Sequence, residues 1–159
     1  MSCENYLEEM NTYKLSRDTV QLIAVDTLSM SVRKIKPIAG KGKRLNLSIN
    51  KEVIRAKEET DTIKGTIGVQ IYVMDEHDER CAVINVFQMG IFRAGKKLEM
   101  NEFYHRVDVQ LVPQLISYVR SAVSILAAES GLAPIVLPTM DVLKSMRENA
   151  KQKQDSKEA

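Results

Sequence analysis

The soft metal ligands in this chain of 159 residues are few: two histidines and two cysteines. His77 stands four positions before Cys81, a spacing that could bring two ligands to one ion. Zinc needs three or four, and only His105 and Cys3 are left to complete a set, so the pair reads as a polar turn followed by a small buried thiol. Nucleophile and phosphate motifs are missing too. There is no GxSxG, HExxH or GxxxxGK[ST], and Gly40-Lys-Gly42-Lys43-Arg44 lacks the glycine spacing and the hydroxyl that would cradle a nucleotide. The acidic pairs Glu58-Glu59 and Asp78-Glu79 lie in charged stretches with nothing apolar beside them to raise a carboxyl pKa for acid-base work. Neither catalysis nor a metal or other cofactor is expected.

Binding chemistry is better represented. Arg33, Lys34, Lys36, Lys41, Lys43 and Arg44 form a basic run uninterrupted by acids, which could neutralise several phosphates by counterion release. Recognition of RNA usually adds stacking aromatics, and none lies between Met30 and Lys64. The whole chain is nearly neutral, 23 basic against 21 acidic residues, a balance too mild to point to nucleic acid as a partner. With 44% apolar residues the composition is that of one globular domain able to bury a core. Two cysteines suit the reducing cytosol, the polar acidic N-terminus is unlike a signal peptide, and no membrane span is expected.

The elements that must position these residues follow from hydrophobic period. Residues 1–19 read as a polar extension, 20–150 as a single domain and 151–159 as a polar tail. Ile67, Val69, Ile71 and Val73 alternate as one buried face of a strand, and Cys81 to Phe87 return from the turn Asp75 to Arg80 as the other arm of a hairpin, apolar on both faces over part of its length. Leu45, Leu47 and Ile49 predict a shorter strand, with Lys51 to Thr62 a charged connection. In the first strand, Ile23 and Val25 give way to Leu28, Met30 and Val32, a parity switch that one β-bulge across Asp26-Thr27 would explain. Apolar positions from Val112 to Leu126 follow helical spacing from a start near Val109, with Pro113 in the first turn and Gly131 as the left-handed residue that ends the helix. A second helix is predicted from Thr139, carrying Met140, Leu143, Met146 and Ala150. The fold class is therefore α+β: a four-stranded antiparallel sheet followed by two C-terminal helices.

Three stretches resemble the SecB family of protein-export chaperones. Phe87-Gln-Met-Gly90-Ile91-Phe92 is similar to the family's strand closing on Gly-Ile-Phe. Leu111-Val-Pro113 with Tyr118-Val-Arg120 resembles the opening of its long helix, here with an insertion. Gly131 to Leu143 resembles its proline-rich connection and the start of the second helix.

The resemblance implies a cytoplasmic homotetramer, a dimer of dimers with its long helices between two sheets, that holds non-native polypeptides without ATP and hands them to the SecA motor. It implies Leu132, Ile135, Val136, Met140, Leu143 and Met146 as client contacts and Leu115, Val119, Val123 and Leu126 as the interface between protomers. Export members show SecA an acidic patch at the end of the first strand and at the turn between the third and fourth. This chain keeps the turn acids Asp75, Glu76, Asp78 and Glu79 but has Val32-Arg33-Lys34 at the first strand, which argues for weak or absent coupling. A chaperone dedicated to one client, such as an antitoxin, is the alternative within the class. An RNA-binding or structural oligomer using the basic run is the alternative outside it.

Overall fold

A computed structural model describes residues 7–11, 14, 19–38, 44–95, 97–132, 134, 135 and 137. Four antiparallel strands form one sheet in the order β1-β4-β3-β2: β1 Val20–Lys34, β2 Arg44–Ile54, β3 Thr62–Met74 and β4 Arg80–Ala94. One long helix, α1, spans Met100–Glu129 and packs on one face. The second helix predicted from Thr139 lies outside the described residues, as does the tail.

The alternation in β3 works as expected. Ile63, Ile67, Val69, Ile71 and Val73 are buried toward the helix, opposite Phe92, Gln88, Val86, Ile84 and Ala82 of β4. On the other face Cys81 and Val83 are buried as well, and the chain leaving β1 continues its pairing alongside Cys81. The amides of Ile35 and Lys36 both donate to the Cys81 carbonyl, at 2.7 and 3.2 Å. Farther along, Phe87 emerges, so β4 is covered on both sides over part of its length only.

The strands run longer than their periodicity indicated. Lys51 to Ile54, expected in a connection, belong to β2 and pair with Ile67 to Lys64. In β1 the single expected bulge is two: the register shifts between Leu22 and Ala24 and between Thr27 and Ser29. Ile23 and Leu28 are the extra residues, both exposed, while Leu22 and Val25 pack against the core in their place.

The helix starts nine residues earlier than expected, at Met100 rather than Val109, capped by the Glu99 carboxylate accepting from the Glu102 amide. Pro113 is therefore in the interior, where it denies a donor to the Val109 carbonyl. Burial of Leu111, Val112, Leu115 and Ile116 around it outweighs that loss. By length and composition this helix could cross a bilayer, contrary to the sequence expectation. Thirteen of its residues, the polar Arg106 and Gln110 among them, are instead buried in the domain. It ends as predicted at Gly131, φ +66°, with Leu132 N–H donating to Ala127 and Gly131 N–H to Ala128.

Helix and sheet touch most closely at two glycines paired across β3 and β4, Gly65 and Gly90. A methyl group on Gly65 would come within 2.7 Å of Leu111, and one on Gly90 within 2.9 Å of Leu22 and 3.2 Å of Leu115. Leu111 and Leu115, one turn apart, thus seat in a gap left by two missing side chains. Gly90→Ala should lower stability by about 1–3 kcal/mol in urea unfolding, because Phe92 and Leu115, 3.0 and 3.2 Å from the added methyl, are fully buried and have little room to retreat. Pro113→Ala should raise it, by up to about 3 kcal/mol, by restoring the helical donor.

Candidate functional site

The helix crosses the sheet obliquely, and named contacts fix both ends. Near its start, Asp108 accepts from Lys51 Nζ of β2 at 3.0 Å through its carboxylate and 3.2 Å through its carbonyl. Tyr104 accepts from the Ala56 amide just after β2 at 2.7 Å, with the Arg55 guanidinium over its ring. Near its end, Gly131 lies beside Lys34 of β1. The remaining length of β2 is left under-covered. Leu45, Leu47, Ile49 and Val53 all point to the helix side of the sheet, yet each is only half-buried. The result is an apolar strip along an edge strand, bounded by α1 and interrupted between Ile49 and Val53 by the Lys51–Asp108 ion pair.

The opposite face of β2 differs. Ser48, Asn50, Gln70, Asn85 and Phe87 line a shallow cavity of about 240 Å³ there, and Gln70 Nε2 donates to Asn85 Oδ1 at 3.1 Å. Amides and hydroxyls make that face well hydrated, so the surface on β2 that would gain from contact with an apolar chain is the helix-side strip.

Of the expected client contacts, Leu132 is half-buried against the core and Val136, Met140, Leu143 and Met146 lie outside the described residues. Ile135 is corrected: at 3% exposure it belongs to the core with Leu137 and is not open to a client. Three of the four expected interface residues lie inside the protomer. Leu115, Val119 and Val123 are fully buried against their own sheet, and Leu126 is half-buried. A charge at Val119 would therefore break the protomer's own core. The helix face turned outward carries Ser117, Tyr118, Ser121, Ser124 and Ile125, with Ile125 at 56% exposure.

The turn acids have internal duties. Asp75, 1% exposed, accepts from the amides of His77 and Glu79 at 2.9 and 3.1 Å and lies 3.7 Å from Lys36. Lys36 also pairs with Glu79, and Arg44 pairs with Asp78, the residue in the left-handed conformation of this turn. Three of the four turn acids thus pair with Lys36 and Arg44 of the basic run. Glu76 remains exposed, 3.6 Å from His77. Arg33 and Lys34 are exposed, and Lys41 and Lys43 lie outside the described residues.

Among the described residues no three His, Cys, Asp or Glu side chains are grouped as metal ligands. The Cys81 thiol is buried and directed at the Glu79 and Pro37 carbonyls, at 3.4 and 3.7 Å.

No protein-family model and no curated protein matches the chain by sequence. Solved structures do. The SecB-like chaperone Rv1957 of Mycobacterium tuberculosis, in complex with a ChAD peptide from the Rv1956 HigA1 antitoxin, superposes with a TM-score of 0.70 at 13% identity, over 82% of this chain and 97% of that one. A Streptococcus agalactiae protein of unknown function matches with a TM-score of 0.44 at 12% identity, over 74% and 95%. The first shows that this chain has the SecB-like fold.

Asp75 holds two amides and a lysine in a buried setting, so Asp75→Ala should cost about 2 kcal/mol or more. Thermal or urea unfolding checks this. A variant as stable as the parent would mean the turn does not need its carboxylate.

Proposed function

We propose that this chain is an ATP-independent chaperone that holds extended apolar segments of non-native polypeptides. The observation that carries the reading is the half-buried row Leu45, Leu47, Ile49 and Val53, an apolar strip facing the same side as the core. The fold shared with a SecB-like chaperone solved with a bound peptide supports it. Capture needs no covalent step: burial of client side chains against the strip supplies the free energy, about 25 cal/mol per Å² of apolar surface. Aliphatic side chains such as these, with no directional polar groups, suit many sequences. The neighbour's antitoxin peptide favours a second, narrower reading in which one partner's segment is the natural client.

Assembly into a tetramer is part of the proposal, through the outward helix face with Tyr118 and Ile125 rather than through the buried Leu115, Val119 and Val123. The motor is not. A basic partner approaching residues 75–79 would have to displace Lys36 and Arg44 from Asp75, Glu79 and Asp78, with Arg33 and Lys34 repelling it nearby. Clients are therefore held without tight SecA coupling, and RNA is not the ligand of a basic run whose Lys36 and Arg44 are engaged by the chain's own turn.

Light scattering of reduced insulin, whose B chain aggregates, tests the core of the reading. The protein should suppress scattering near stoichiometry without nucleotide, and Leu47→Ser with Ile49→Ser should lose most of that effect while keeping the parent's circular dichroism. Equal protection by a folded double variant would remove the strip from the function. Calorimetry against the host's SecA at physiological salt should show no submicromolar binding; finding it would restore the motor.

A further inference from the structure

The two edges of the sheet are not equivalent. β1 is long, but bulges at Ile23 and Leu28 break its line. Bulges of this kind blunt an edge against further pairing. β2 is the opposite edge, and its eleven residues pair with β3 without a single register shift. Among the described residues nothing pairs with its outer side. Lysine on an edge is a common guard, and β2 has one, Lys51; its ammonium is drawn inward to Asp108 at 3.0 Å. An edge without a register break therefore adjoins the half-buried apolar strip, because both belong to the same strand.

We infer that a client binds by adding a fifth strand antiparallel or parallel to β2, so that main-chain hydrogen bonds to the free edge supply affinity independent of sequence. This rests on the chaperone reading above and names its recognition mode. Every second client residue then faces the helix side, beside Leu45, Leu47, Ile49 and Val53. The residues between face Asn46, Ser48, Asn50 and Glu52, where polar side chains are tolerated. The favoured client is an extended segment of alternating apolar and polar residues about as long as β2.

The occupant is an extended segment and not the edge of a second folded copy. β2 is about 36 Å long at ~3.3 Å per residue, and strands lie ~4.8 Å apart, so the edge alone offers a strip of less than about 200 Å². A folded copy meeting it there would fall well short of the ~800 Å² per partner of a stable interface. A flexible segment can follow the edge and also settle its side chains into the strip.

Calorimetry with three synthetic peptides on the full chain decides this. Each has eleven residues, alternating Val and Ser. The first is unmodified, the second is N-methylated at every Val and the third at every Ser. Along a strand successive N–H groups point to opposite edges, so strand addition needs one set of donors and not the other. The unmodified peptide should bind, one methylated peptide should lose about tenfold or more in affinity, and the other should bind nearly as well. Hydrogen exchange should show new protection in alternate amides of β2 on addition of the unmodified peptide. Equal weakening by the two methylation patterns, or protection that avoids β2, overturns strand addition while leaving a side-chain groove standing. Sedimentation showing copies joined through β2 and undisturbed by the peptide also overturns it. Failure of every peptide and of reduced insulin to bind overturns the chaperone reading instead.

Discussion

Everything in this fold is referred to the contact between Leu111 and Leu115 and the glycine pair Gly65 and Gly90. Two residues without side chains, opposite one another on the central strands, leave the room that Leu111 and Leu115 occupy. Once Leu111 and Leu115 are seated there, the helix has little freedom to slide. Its start is tied to β2 through Lys51, Asp108 and Tyr104, and Arg106 Nη1 donates to Thr19 at 2.6 Å, holding the beginning of β1 as well. An oblique helix over four strands cannot cover both flanks equally, and the shortfall falls along Leu45, Leu47, Ile49 and Val53. The strip is a geometric remainder of the seat.

Electrostatics follow the same economy. The stretch after β1 and the turn between β3 and β4 are far apart in sequence and opposite in sign, and the fold brings them to one end of the sheet. Asp75 acts inside the turn through its amide contacts, and Lys36 and Arg44 close over its companions. Among the described residues, three of the four turn acids are thus matched by a cation.

Much of the architecture was legible in the residues. The alternation of Ile67 to Val73, the apolar return of Cys81 to Phe87 and the helical stripe from Val112 each reflect one-sided burial within a single element, and such burial writes a period. The SecB-like fold follows from that order of elements and is shared with a solved chaperone. What was not legible depends on partners distant in sequence. Leu115, Val119 and Val123 have the same spacing whether they face a sheet of their own or a second protomer. The acids of the turn look solvated until Lys36 and Arg44 arrive. Pro113 marks a helix start by local rules, which the packing on either side of it overrides. The strip on β2 was visible as alternation, but that β2 is an edge is a property of the strand order.

That order, with β1 beside β4, also bears on how the chain comes to be folded. β2, β3 and β4 are successive hairpin neighbours and can pair as soon as each is made, whereas Val20 must wait for Ala94 and Lys34 for Ala82. Long-range closure of this kind is the slow part of assembling a sheet. During synthesis β1, with Leu22, Val25, Leu28, Met30 and Val32, is for that interval an unpaired extended apolar segment emerging ahead of its partner. The newborn chain therefore passes through a stage at which its own first strand has the character of the segments the finished protein is proposed to hold.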